Sequence, residues 1–160
     1  MRADKGFAIE AGKARFGDSF QMRGVTHNLL DLKVSSKDTE GNLSVFVQKG
    51  FTPNDGPPLH VHPNQDEMFF VVEGEYYFRC GEEEYYIKAG DLIFLPKGVP
   101  HAFIQLSEYG KMLVQYQPAG KMEDFFKKTA MWTEPPSTEE INALFEEHGM
   151  NVVGPPLKLR

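Results

Sequence analysis

Residues 60–67 read HVHPNQDE, with His60 and His62 two positions apart and Glu67 five residues after the second histidine. On a β-strand, side chains at i and i+2 point to the same face, so the pair presents two imidazoles side by side in a chelate geometry. Further along, residues 90–101, GDLIFLPKGVPH, carry His101 behind a turn, a strand and a second turn. That arrangement delivers a third imidazole from a different strand.

Short runs rich in Val, Ile, Phe and Tyr, broken by Gly, Pro, Asn and Asp, fill the chain from Phe7 to about Tyr116. They predict many short antiparallel strands, near 7–10, 13–16, 27–34, 43–49, 58–62, 67–73, 75–80, 84–88, 92–95, 100–106 and 111–117. An all-β sandwich or barrel follows. After Pro118 the pattern changes. GKMEDFFKKTAM and STEEINALFEEHG have helical spacing, with Ile141, Leu144 and Phe145 on one stripe. Ser137 and Glu140 form a capping-box pair, and Gly149 is placed to end the second helix. Two short helices packed on the outside of the β-structure are expected. Residues 68–72, MFFVV, and 92–95, LIFL, are apolar on both faces, so their outward sides need cover from the helices, a second subunit, or both.

With 160 residues, 41% of them apolar and 25% charged, the chain has the makeup of one globular domain, 1–160, with a β core over about 7–117 and a helical extension over 119–160. A net charge of −6 with scattered Lys and Arg argues against a nucleic-acid partner. No apolar run has the length of a membrane span, and no apolar segment follows Arg2 and Lys5, which points to a cytoplasmic protein. The lone Cys80 cannot close an internal disulfide and reads as a strand residue near the core. His27 and His148 read as solvated or helix-end residues, Glu82, Glu83 and Glu84 as a solvated turn, and Trp132 as a packing anchor.

At this point the sequence resembles the cupins. Their first motif, G-x5-H-x-H-x3 or x4-E-x6-G, is met by His60, His62, Glu67 and Gly74. Their second, G-x5-P-x-G-x2-H-x3-N, is met by Gly90, Pro96, Gly98 and His101. Two positions depart: Asn54 stands at the opening glycine, where Asn tolerates the left-handed conformation, and Gln105 stands at the closing Asn. The resemblance spans the middle two thirds of the chain. It implies a β-barrel or jelly roll with one divalent metal per chain held by His60, His62, Glu67 and His101. Such donors suit Fe, Mn, Ni, Cu, Co or Zn. Four donors on a six-coordinate ion leave two positions for water, substrate or dioxygen.

Strand parity extends the site. If His101 points inward, so do Phe103 and Gln105; if Glu67 does, so do Phe69 and Val71. Phe69 and Phe103 are therefore candidates to pack on a ligand, and Gln105 to orient it. The resemblance to quercetinase-like dioxygenases implies a metal-dependent oxidoreductase acting on a small enol, catechol or oxo acid, with Glu67 as base as well as ligand. A Lewis-acid isomerase or lyase, or a non-enzymatic binding module, are the alternatives. The family's habit of pairing barrels adds a homodimer. Metal loading is expected to weaken as pH falls through the histidine range, because imidazoles coordinate only when neutral.

Overall fold

A computed structural model describes residues 2–159. Ten strands precede the helices: β1 Phe20–Gln21, β2 Leu29–Val34, β3 Ser44–Gly50, β4 Pro58–Val61, β5 Asp66–Glu73, β6 Glu75–Cys80, β7 Glu83–Lys88, β8 Leu92–Leu95, β9 His101–Gln105 and β10 Gly110–Gln117. Helices α1 Met122–Ala130 and α2 Thr138–Glu147 follow, and a last strand, β11, covers Asn151–Pro156. The strands form two antiparallel sheets, one in the order β1-β2-β3-β10-β5-β8 and the other β11-β4-β9-β6-β7. Of the barrel or jelly roll expected, the fold is the jelly-roll sandwich, because among the described residues no ladder joins the edges of the two sheets.

Between the sheets lies the core. The inward residues of β5 and β8, Phe69, Val71, Ile93 and Leu95, are buried, as the alternating pattern requires. Phe69, Phe78 and Phe103 meet with ring centroids 5.2–5.4 Å apart. Each such ring, fully buried, contributes about 1.5–3 kcal/mol of apolar transfer free energy. Asn54 takes φ = +67°, so the departure from glycine there keeps the left-handed turn.

Three expectations are corrected. Residues 7–10 and 13–16 are not strands. Gly12 and Gly17 both turn with positive φ, and β1 occupies the edge of β2, so these runs find no ladder. They run as irregular chain instead, with the Arg15 guanidinium over the rings of Phe7 and Phe16 and paired to Asp38 at 2.9 Å. Second, the C-terminal extension is not all helical, since β11 pairs with β4, placing Val152 opposite His60. Its Pro155 and Pro156 are tolerated because it is an edge strand. Third, the helices do not lie on the outer faces of the sheets. They close one end of the sandwich, where Phe126 packs 5.0 Å from Phe46 and Phe145 packs 5.2 Å from His60. Docked there, they leave the outer face of β5 and β8 uncovered within one chain: Leu92 is 54% and Phe94 55% exposed.

Both helix ends are as the sequence specifies. Ser137 caps α2 in a reciprocal box with Glu140, and Gly149 follows with φ = +80°. His148 is the helix-end residue expected but is buried, not solvated. Its Nδ1–H donates to the Leu144 carbonyl at 2.7 Å, and Nε2 lies 2.9 Å from Asp124 Oδ2, joining α2 to α1. Among the described residues no helix is long and apolar enough to cross a membrane.

Candidate metal centre

β4 carries His60 inward, and the following turn carries His62. β9 aligns His101 with His60 in the ladder. The hydrogen bond from Gly98 N–H to the His62 carbonyl, 2.9 Å, ties the turn before β9 to the second histidine. One nitrogen from each of His60, His62 and His101 lies within 4.8 Å of the other two, a grouping that could hold a metal ion. All three rings are buried.

Glu67 reaches the same space from the opposite sheet, where β5 pairs it with Tyr116 on β10. Its Oε1 is 3.2 Å from His101 Nε2 and its Oε2 is 3.6 Å from His62 Nε2. The two histidine strands and the glutamate strand therefore face each other across the interior.

The outer nitrogens fix how two rings present themselves. His60 Nδ1–H donates to the Pro58 carbonyl at 2.7 Å, leaving Nε2 free. Gln65 Nε2 donates to the Pro118 carbonyl at 2.8 Å, which turns Gln65 Oε1 toward His62 Nδ1 at 2.6 Å. His62 Nδ1–H is the donor there, and its Nε2 faces inward. His62 Nε2 and His101 Nε2 have no hydrogen-bond partner although both are buried. Buried polar atoms left unpaired cost about 1–3 kcal/mol each, and a cation among them would remove that cost. Imidazole and carboxylate donors of this kind fit a divalent transition metal, and the Pro58 carbonyl and Gln65 hold the rings of His60 and His62 with their Nε2 atoms free for it. Replacing Gln65 by Leu is expected to weaken metal binding by about 10–100-fold. Competition against a chelator of known affinity measures this, and unchanged affinity would mean that Gln65 plays no part in orienting His62.

Burial sets the charge states. Desolvation pushes His60, His62 and His101 down to about 4, with the His101 charge adding to the effect on His60. The rings are neutral at neutral pH, as coordination requires. Desolvation pushes Glu67 up, against a lowering pull from His62, His60 and the Tyr116 hydroxyl. Tyr116 is in turn pushed well up by burial and by Glu67.

The pH range over which the buried rings take up protons therefore sits lower than free histidine suggests. In the unfolded chain the imidazoles titrate near 6.5. A group depressed in the folded state stabilises the fold above its unfolded pKa and loses that contribution as pH falls toward its folded value. Glu67 acts with the opposite sign, since its raised pKa favours the fold at low pH. The metal-free protein is expected to lose stability between about pH 6.5 and 4, by up to roughly 3 kcal/mol per imidazole. Thermal denaturation of the metal-free protein across this range checks the sign; a flat profile would contradict the buried, neutral rings.

A cavity of about 40 Å3 adjoins the histidines. Phe69 and Phe103, expected from parity, line it. Gln105 does not: its Nε2 donates to the Gly50 and Ser107 carbonyls at 3.1 and 2.9 Å. Its side chain is inward, but its NH2 group is held by the backbone carbonyls of Gly50 and Ser107, away from the cavity. Four features had no distinct signal in the sequence. Gln65 sits in a turn with no periodicity, and Tyr116 becomes part of the site only through the β5–β10 register. Met22 and the helical residues Met122, Phe125, Phe126 and Phe145 are ordinary apolar positions until the fold brings them over the histidines.

Comparison with known proteins places this geometry in context. A family model described as "Cupin domain" matches residues 49–116. The chain is similar to 3-hydroxyanthranilate 3,4-dioxygenase of Bacillus thuringiensis, 35% identical over 79 residues, covering 46% of this chain and 44% of that enzyme. It thus spans less than half the length of that relative. It is also 37% identical over 82 residues to an uncharacterized protein of Streptomyces coelicolor, covering 49% of this chain and 73% of that one. Among solved structures, an RmlC-like cupin from Shewanella frigidimarina superposes with a TM-score of 0.60 at 19% identity, covering 78% of this chain and 99% of the other. That likeness is one of fold.

Proposed function

Since the chain belongs to the cupin superfamily, we propose that it is a metal-dependent dioxygenase-like oxidoreductase acting on a small enol, catechol or oxo-acid type molecule. The observation that carries this reading is the set of three buried, neutral imidazoles with inward nitrogens, facing Glu67 beside an apolar cavity. A relative named as a dioxygenase supports the class of reaction.

In this reading His60, His62, Glu67 and His101 hold one divalent ion, which when bound supplies open positions for dioxygen and an anionic substrate oxygen. Glu67 takes the proton from the substrate hydroxyl; burial has already raised its affinity for a proton. Tyr116 keeps the carboxylate aimed inward. Phe69 and Phe103 pack on the ring or chain of the substrate, and the helical cap keeps bulk water out. Oxygen uptake by the Fe, Mn, Ni, Co and Cu forms against a panel of enols and catechols tests the proposal. Silence across the panel would count against it, and turnover without oxygen would favour Lewis-acid isomerisation or cleavage instead.

The reading includes a homodimer formed through the outer face of β5 and β8, where Phe70, Val72, Leu92 and Phe94 are exposed beside an open sheet edge. Light scattering at micromolar concentration is expected to give about twice 18.1 kDa. A monomer, or a dimer unaffected by Phe94→Glu, would refute that surface.

A further inference from the structure

The cavity beside the imidazoles is narrow and unusual in its charge. At about 40 Å3 it has room for little more than water. The cap over it consists of Met22, Met122, Phe125, Phe126, Phe145 and Met150. Apart from the site's own histidines, Glu67 and Tyr116, its polar side chains are Thr26, Asn28 and Gln48, all neutral. Among the described residues no lysine or arginine lines it.

Resting on the metal-centre reading above, we infer that this cavity takes molecules whose only ionisable groups are the oxygens facing the imidazoles, and rejects similar molecules bearing a second anionic group such as a carboxylate or phosphate. The narrowing of the substrate class follows from what a second charge would meet. One anionic oxygen, or an adjacent pair, can face the ion. A carboxylate further out on the ligand would leave water for a wall of thioethers and phenyl rings with no counter-ion, at a large desolvation cost. The carboxylate of Glu67 adds only repulsion.

The same wall suits an uncharged body. Phe69, Phe103 and Phe126 offer ring edges and faces to an aromatic or enolic ligand, and the amides of Asn28 and Gln48 can pair with a neutral hydroxyl or carbonyl. A ring-sized molecule needs more room than the cavity has. Three of the six cap residues are methionines, which have the flexible side chains to reshape around it. Neutral enols and catechols remain in the accepted class. Aminophenols and catechols that carry a ring carboxylate fall outside it.

A matched pair of ligands isolates the charge: methyl 3,4-dihydroxybenzoate and 3,4-dihydroxybenzoate share the chelating oxygens and differ at the carboxyl group. Cobalt(II) is loaded and its stoichiometry measured first; each ligand is then titrated, with the cobalt visible absorption and calorimetric heat as readouts. The ester is expected to bind, and the acid to bind at least about tenfold more weakly. Gln48→Lys, which supplies a cation to the wall, is expected to narrow the gap; the wild-type comparison stands whether or not that variant folds. Equal affinities, a tighter acid, or an ester that does not bind to cobalt-loaded protein would overturn the inference while leaving the metal centre intact. Failure to take up cobalt would remove the metal-centre reading and this inference together.

Discussion

His62→Ala is expected to lower affinity for a divalent transition metal by more than about 100-fold, and His60→Ala to do the same. Loss of a group that merely orients a ligand costs about 10–100-fold, so loss of a donor itself costs more. The geometry gives no substitute, because the grouping within 4.8 Å consists of one nitrogen from each of three rings, and Glu67 comes from the opposite sheet. Both rings are buried, so each variant also leaves a small void, and circular dichroism is needed to show that the sheets persist. His27→Ala is the control: that ring is exposed, and its nearest acid is Asp55. Metal content after dialysis, measured by elemental analysis, decides the matter. Full retention in both histidine variants would mean that these rings are not ligands.

Glu67→Gln should lower oxygen-dependent turnover by about 10²–10⁴-fold while retaining a measurable share of the metal. The amide keeps an oxygen that can face a cation but cannot accept the substrate proton at neutral pH. The substitution therefore separates two roles that one carboxylate is proposed to fill. Burial makes the neutral isostere a mild change for the fold, since a charged carboxylate between β5 and β10 is what desolvation opposes. Steady-state rates and metal content measured on the same sample distinguish the outcomes. Undiminished turnover would remove Glu67 from proton transfer, whereas loss of all metal would identify it as chiefly a ligand.

The sequence by itself determined the nine strands β2 to β10 and the residues with metal-binding chemistry. β5 is apolar on both faces, so it is Glu67 that sets its parity: with Glu67 inward, Phe69 and Val71 fall to the interior and Phe70 and Val72 to the exterior, because a slip of one residue would invert every side chain. The spacing of His60 and His62 needs only the period of a strand, and the capping box of α2 needs only three residues of local chain. Such features depend on neighbours a few positions away, and the chain carries them openly.

Longer-range relations were decided by the tertiary structure. Parity assigned Gln105 an inward side chain, but only the packing of Gly50 and Ser107 against it engages its NH2 group with backbone carbonyls. An apolar stripe on α1 and α2 says that the helices bury one face, and says nothing of which surface they bury it against. Their docking over the open end, with Phe145 beside His60, put a hydrophobic cap on the site and left β8 exposed. β11 lay hidden because Gly154, Pro155 and Pro156 oppose strand formation locally, and pairing with β4 along a free edge outweighs that preference. The charge states of the three imidazoles belong to the fold as well: composition gives three ordinary histidines, and their removal from water makes them neutral donors.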